Sequence, residues 1–212
     1  MIKKNLKLLI FTSVIILLPI LAGLILWDKL PDEIPVHFNA QGAADGWAGK
    51  EFGIFGIPLF LLAVHWLCTW VTGLDPKKKN ISQKSMSLVL WICPATSLFV
   101  NGIIYAYTLN SKIDISTACM LFFGVLFIII GNYIPKCKQN YSIGIKISWT
   151  LNSEKNWNYT HRLAGKVWVI GGLLIIATSF LNWVWLFAAI TIIMIVIPVI
   201  GSYLYYKKEN KA

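Results

Sequence analysis

Six long apolar runs divide the 212 residues of this chain, and only short polar segments separate them. A helix needs about 20 apolar residues to cross roughly 30 Å of hydrocarbon. Five runs fall at about Leu6–Trp27, Phe52–Leu74, Ser85–Tyr107, Ile115–Tyr133 and Leu163–Leu181, and a sixth ends near Tyr205. Six spans use more than half of the chain, which leaves no room for a large soluble domain. With 57% hydrophobic and 13% charged residues, the composition is too apolar for one in any case.

The segments between the runs alternate in charge. Lys3, Lys4 and Lys7 precede the first run, and Lys77, Lys78, Lys79 and Lys84 lie between the second and third. Lys136, Lys138, Lys146, Lys155, Arg162 and Lys166 lie between the fourth and fifth, and Lys207, Lys208 and Lys211 follow the sixth. Only Lys29, Lys50 and Lys112 fall in the other loops, which hold six of the nine acids. Basic residues are retained on the cytoplasmic face during insertion. The expected fold is therefore an all-α integral membrane protein of six transmembrane helices with both termini inside. A structured outside loop joins helices 1 and 2, and an amphipathic inside loop joins helices 4 and 5. Residues 1–74 form an N-terminal two-helix unit carrying the outside loop 28–51, and residues 75–212 form a four-helix unit carrying the inside loop 134–162. The run from Leu8 to Trp27 is followed by no small-x-small cleavage site and reads as an uncleaved first span.

The net charge of +10 does not mark a nucleic-acid binder, because the cations are scattered over four short segments flanked by spans. Orientation and contact with anionic membrane lipid account for them, and no direct nucleic-acid binding is expected. Cys68, Cys93 and Cys119 fall in apolar runs and Cys137 in an inside loop, so they do not make a disulfide framework. No carboxylate pair, His-Glu-x-x-His or Gly-x-Ser-x-Gly motif is present. An enzyme is not expected, nor a metal or a cofactor. His65, the one notable ionisable side chain in a span, reads as an interhelical hydrogen-bond partner.

The outside loop looks built to hold a shape. Pro31 and Pro35 extend the backbone before them. Ile34, Val36 and Phe38 alternate with Pro35 and His37, which suits a short strand or extended arm. Gly42, Gly46 and Gly49 permit tight turns, and Asp45-Gly46 is a turn signal. Trp47 is placed to dip into the headgroup layer. Such a loop is either a cap over the helix ends or a recognition surface for something arriving from outside, shaped by Pro35, His37, Phe38 and Asp45.

The inside loop is rich in aromatics. Thr150 to Ser153 can cap a short helix on which Glu154, Trp157 and His161 follow one turn apart. That helix is expected along the inner interface, with Trp149, Trp157 and Tyr159 toward lipid headgroups and Lys155, Arg162 and Lys166 meeting phosphates. The alternative is a docking site for a cytosolic protein, formed by Trp149, Thr150, Trp157, His161 and Arg162. A tight turn is expected at Asn182, with Trp183 and Trp185 as interface anchors. Gly171 and Gly172 allow close helix approach.

Both loops resemble known patterns. Gly131-Asn132, Asn140-Tyr141, Gly144, Trp149-Thr150-Leu151, Trp157, His161-Arg162, Gly165 and Lys166 resemble the SdpI family of bacterial toxin-immunity proteins. Leu30-Pro31, Ile34-Pro35, His37-Phe38, Gly42, Asp45, Trp47 and Lys50 are similar to a domain of unknown function often found at the N-terminus of such proteins. Where the family commonly carries Arg-Thr-Pro-Trp-Thr-Leu, this chain has Lys146-Ile147-Ser148-Trp149-Thr150-Leu151. The resemblance implies a multi-pass protein of the bacterial cell membrane. It also implies protection against a secreted peptide toxin and recruitment of a cytosolic winged-helix autorepressor to the membrane. The alternatives are a small-solute or ion transporter or channel, and a family member without an immunity role.

Overall fold

The structure is a computed structural model that describes residues 2–181 and 183–210, with side chains from residue 4 onward. The turn expected at Asn182 lies outside the described residues. In chain order the elements are α1 (Ile2–Ile25), β1 (Glu33–Phe38), β2 (Ala44–Gly49), a π-helical turn (Phe52–Gly56), α2 (Ile57–Leu74) and α3 (Gln83–Thr108), followed by α4 (Ile115–Tyr133), α5 (Ser148–Asn152), α6 (Glu154–Thr178) and α7 (Val184–Glu209). Among the described residues six helical stretches are long and apolar enough to cross a membrane. To the all-helical expectation the structure adds one two-stranded β-hairpin.

Two compact units emerge. The first comprises residues 1–73 and 87–118, the second residues 74–86 and 119–212. In the first unit, Pro19 lies inside α1, and its missing N–H removes one helical hydrogen bond. Near that position, Ser97 Oγ donates to the Ile16 carbonyl (2.8 Å) and Tyr105 OH donates to the Pro19 carbonyl (3.0 Å). The Thr12 hydroxyl lies 3.0 Å from His65 Nε2 on α2, so His65 is an interhelical hydrogen-bond partner. At one end of the unit, Leu30, Ile34, Ile54, Ile104 and Tyr105 close an apolar cluster beneath the hairpin.

The second unit is organised around α6. Ser153 caps it by accepting from the Asn156 N–H (3.1 Å), and the helix then runs unbroken to Thr178. The expectation of a short interfacial helix followed by a separate span from Leu163 is thereby corrected. Nothing between 154 and 178 breaks a helix, and the cap residue starts the whole rod. Against α4, the glycines are paired at seven-residue spacing. A Cβ on Gly172 would sit 2.6 Å from the Gly124 carbonyl, and one on Gly131 would sit 2.9 Å from the Val169 nitrogen. Backbone therefore meets backbone, the close packing that small residues permit in a membrane. Gly171 faces Met194 of α7 instead. Trp168 Nε1 donates to the Met194 carbonyl (2.9 Å), and Tyr159 stacks on Tyr205 (4.7 Å), so α6 and α7 run antiparallel.

Candidate functional site

The hairpin of the first unit begins from proline chemistry. Pro35 has no N–H to give a ladder, and it sits opposite Trp47 next to a register shift. Ile34 is fully buried and anchors the strand against Gly53, where any side chain would strike it. The turn itself spans 39–43. Asn39 Oδ1 accepts from the backbone N–H groups of Gln41 and Ala43 (both 3.0 Å), and Gly42 takes φ +78°. Asp45-Gly46 is thus not the turn, although its sequence suggests one. Gly46 lies in β2 opposite His37, whose Cβ would be 2.9 Å from a Cβ there.

That bulge brings His37 and Asp45 together: Nδ1 lies 2.5 Å from Oδ1, with 71% and 44% of the two side chains exposed. The carboxylate fixes the ring and leaves Nε2 turned to other partners. Of the four hairpin residues singled out, these two form one exposed polar pair. Phe38 packs edge-on against Tyr107 (5.1 Å). Pro35 is buried and shapes the strand. Trp47 is 54% exposed. Lys50 bonds Asp32 (3.1 Å) and lies over the Trp27 ring, which ties the hairpin base.

In the second unit, the 134–162 segment is held by buried polar groups. Asp75, which the sequence shows only as part of a charged turn, is its latch. Its carboxylate accepts from the Lys77 N–H (2.7 Å), the Tyr141 N–H (2.9 Å) and the Ser142 hydroxyl (2.6 Å). Gln139 donates to the carbonyls of Thr150 and Leu151 (both 2.9 Å), and its own carbonyl accepts from Asn80 (2.7 Å). Asn140 Oδ1 receives the N–H groups of Ser142 and Ile143.

Trp157, Thr150 and His161 are all fully buried, so Trp157 does not face lipid headgroups as expected. The indole N–H donates to the Cys137 carbonyl (2.7 Å), and the ring stacks on His161 at 4.0 Å. His161 Nδ1 donates to the Trp157 carbonyl (2.7 Å), and Nε2 accepts from the Ile145 N–H (3.0 Å). Gly144 crosses this stack at φ +127°, and any side chain there would meet both rings. Thr150 Oγ1 donates to the Ile145 carbonyl (2.8 Å) and accepts from the Ile147 N–H (3.1 Å). Burial pushes the Cys137 thiol up, and the Ser85 hydroxyl partly offsets that.

Trp149 is only half-buried. Its indole N–H donates to Ser202 Oγ (2.7 Å), and its ring stacks with Tyr206 over a cleft of about 520 Å3. Arg162 is exposed on α6. Of the five residues singled out here, three form the buried scaffold and two remain at the surface. Asp75 and Gln139 were missed, and Asn140 entered only through the family resemblance. A buried carboxylate that accepts two of its three bonds from residues 66 and 67 positions away leaves no local trace of them in sequence.

Residues 136–202 match the SdpI/YfhL protein family. Residues 14–62 match a domain of unknown function, DUF1648. The chain is 29% identical to the immunity protein SdpI of Bacillus subtilis (strain 168) over 216 residues, covering 98% of each. No solved structure matches. With its six span-length helices the chain is a multi-pass bacterial membrane protein. Two family models matched in order, and a relative aligned end to end, make the chain similar to the SdpI/YfhL protein family and to one of its immunity proteins.

Proposed function

We propose that this protein is a membrane immunity protein that protects its cell from a secreted antimicrobial peptide. The observation that carries this reading is the alignment with an immunity protein across 98% of both chains, hairpin included. The hairpin is held outside the cell, and its exposed His37–Asp45 pair, with Pro35 and Phe38 behind it, forms the surface that meets the toxin. Both termini and the 134–162 segment lie in the cytosol, the orientation that the lysine-rich loops favour. Expression in a bacterial host sensitive to a secreted membrane-active peptide tests the claim. Survival should rise with the wild type and fall with His37→Ala at equal membrane abundance. A fully expressed wild-type protein that gives no protection overturns it.

Signalling is the second element of the proposal. Toxin at the hairpin favours one helix arrangement whose cytosolic surface binds a winged-helix repressor more tightly. Trp149 with Tyr206 forms the docking cleft, and Thr150, Trp157 and His161 keep the loop in shape. Trp149→Ala with Tyr206→Ala should abolish membrane recruitment of the repressor and leave protection intact. A double variant that still recruits removes the cleft from the account.

One observation favours a different reading. Thr12, His65, Thr69, Ser97 and Asn101 are all buried in the first unit, and Asn101 Oδ1 has no hydrogen-bond partner. A polar seam of this kind suits passage of a small solute or ion. A flux through purified vesicles that His65→Ala abolishes would favour transport.

A further inference from the structure

We propose that the second unit carries a built site for one anionic phospholipid, formed by Lys136, Lys155, Arg162 and Lys166 beside an apolar slot between α4 and α6. Two adjoining clefts define it. The first, of about 510 Å3, has Lys155, Arg162 and Lys166 around it and the Tyr159 and Tyr205 rings as a wall. The second, of about 590 Å3, shares Arg162 and Lys166, takes Lys136 from the turn that follows α4, and continues over Gly131, Pro135, Val169 and Ile170. The two clefts therefore form one amphipathic slot whose hinge point is the Arg162–Lys166 pair, one helical turn apart.

The cations lack compensation. Among the described residues none of the four has a carboxylate partner, since the ion pairs found there belong to the hairpin. Lys136 lies over the Tyr133 ring at 5.3 Å, which keeps its ammonium near the slot. Three like charges line each cleft, two of them shared, and such a cluster repels itself unless an anion joins it. The guanidinium presents a planar fork to two phosphate oxygens, and the ammonium groups add point charges around it.

The apolar half decides which anion fits. Along α6, Arg162 and Lys166 give way to Val169 and Ile170 within about two turns. Gly131 and Gly165 supply no side chains, so the slot has a backbone floor. Pro135 packs directly on Gly165 and closes one end. Ile170 is 59% exposed on an apolar stretch of a spanning helix. A free phosphate or an acidic peptide has nothing to place there. An acyl chain covers it while its own phosphodiester reaches Arg162, with Tyr159 and Tyr205 walling the headgroup side. The occupant is thus a phosphatidylglycerol-type lipid, and Arg162 serves the lipid and not a protein partner.

Native mass spectrometry of the full chain in detergent, titrated with phosphatidylglycerol or phosphatidylcholine, tests this. The wild type should retain one phosphatidylglycerol in preference to phosphatidylcholine. Arg162→Ala with Lys166→Ala should weaken that binding roughly thirtyfold, at about fivefold per cation near an anionic lipid. Both side chains are exposed, so the variant should melt like the wild type. Lys207→Ala with Lys208→Ala, which removes cations elsewhere on the chain, should leave the bound lipid in place. Glycerol phosphate in excess should not displace it. Equal retention of both lipids by the wild type overturns the site. So does an Arg162/Lys166 variant within twofold of the wild type, an equal loss in the Lys207/Lys208 control, or displacement by glycerol phosphate.

Discussion

The hairpin and the 134–162 segment are both irregular polar stretches between apolar helices, but they keep their shape by opposite means. The hairpin is made by neighbours. Its turn bonds close within five residues, its bulge sets His37 against Asp45, and its polar pair stays at the surface. The longer segment is made by strangers. Asp75 reaches Tyr141 and Ser142, Asn80 reaches Gln139, and the stack of Trp157 on His161 is sealed inside. A polar group at the surface loses little when its partner goes, because water replaces it. A buried one leaves a donor or acceptor stranded. The same residue types therefore stay free at the surface in one region and carry architecture in the other.

Several substitutions can break this contrast. Trp157→Ala removes a fully buried ring and its bond to Cys137, and should lower stability by about 3–5 kcal/mol, read as thermal unfolding in detergent. Asp75→Ala strands the Tyr141 N–H and the Ser142 hydroxyl and should cost about 2–3 kcal/mol. Its more direct readout is Cys137: the buried thiol, held protonated by its surroundings, should react with maleimide far faster once the latch opens. Gly144→Ala forces a side chain into the rings at a positive φ and should cost about 1–3 kcal/mol by the same measurements. Asp45→Asn on the hairpin should change stability by less than about 1 kcal/mol while reducing protection in the survival assay. If Asp45→Asn destabilised the protein as much as Asp75→Ala, the two regions would not differ as described.

Much of the frame was legible in the sequence. The helices follow the apolar runs to within a few residues, except that α6 begins nine residues before the run at Leu163. Polar residues from 154 to 162 hid its start, since their buried faces pack on the loop and not on lipid. The alternation of Ile34, Val36 and Phe38 did mark a strand, and Gly42 does sit in the turn, but Asp45-Gly46 does not. Asp45-Gly46 has turn chemistry by composition, whereas Asn39 caps the real turn with its side chain and Gly42 supplies the positive φ. Gly172 was expected to allow close helix approach and does, but the seam it belongs to between α4 and α6 was not apparent because its members recur every seven residues, at 124 and 131 and at 165 and 172. The latch at Asp75 escaped because its partners are remote in the chain. Trp157 and His161 stood out as unusual, and only the fold shows that their aromaticity serves a sealed stack.

The unbroken course of α6 has a mechanical consequence. Its 25 residues make a stiff rod of about 37 Å. Leaning such a rod by about 5° carries one tip some 3 Å, more than a hydrogen bond can stretch and survive. A push near Thr178 that pivots the rod about its middle moves the Ser153 end by about half that distance, and the indole and imidazole bonds of Trp157 and His161 oppose it.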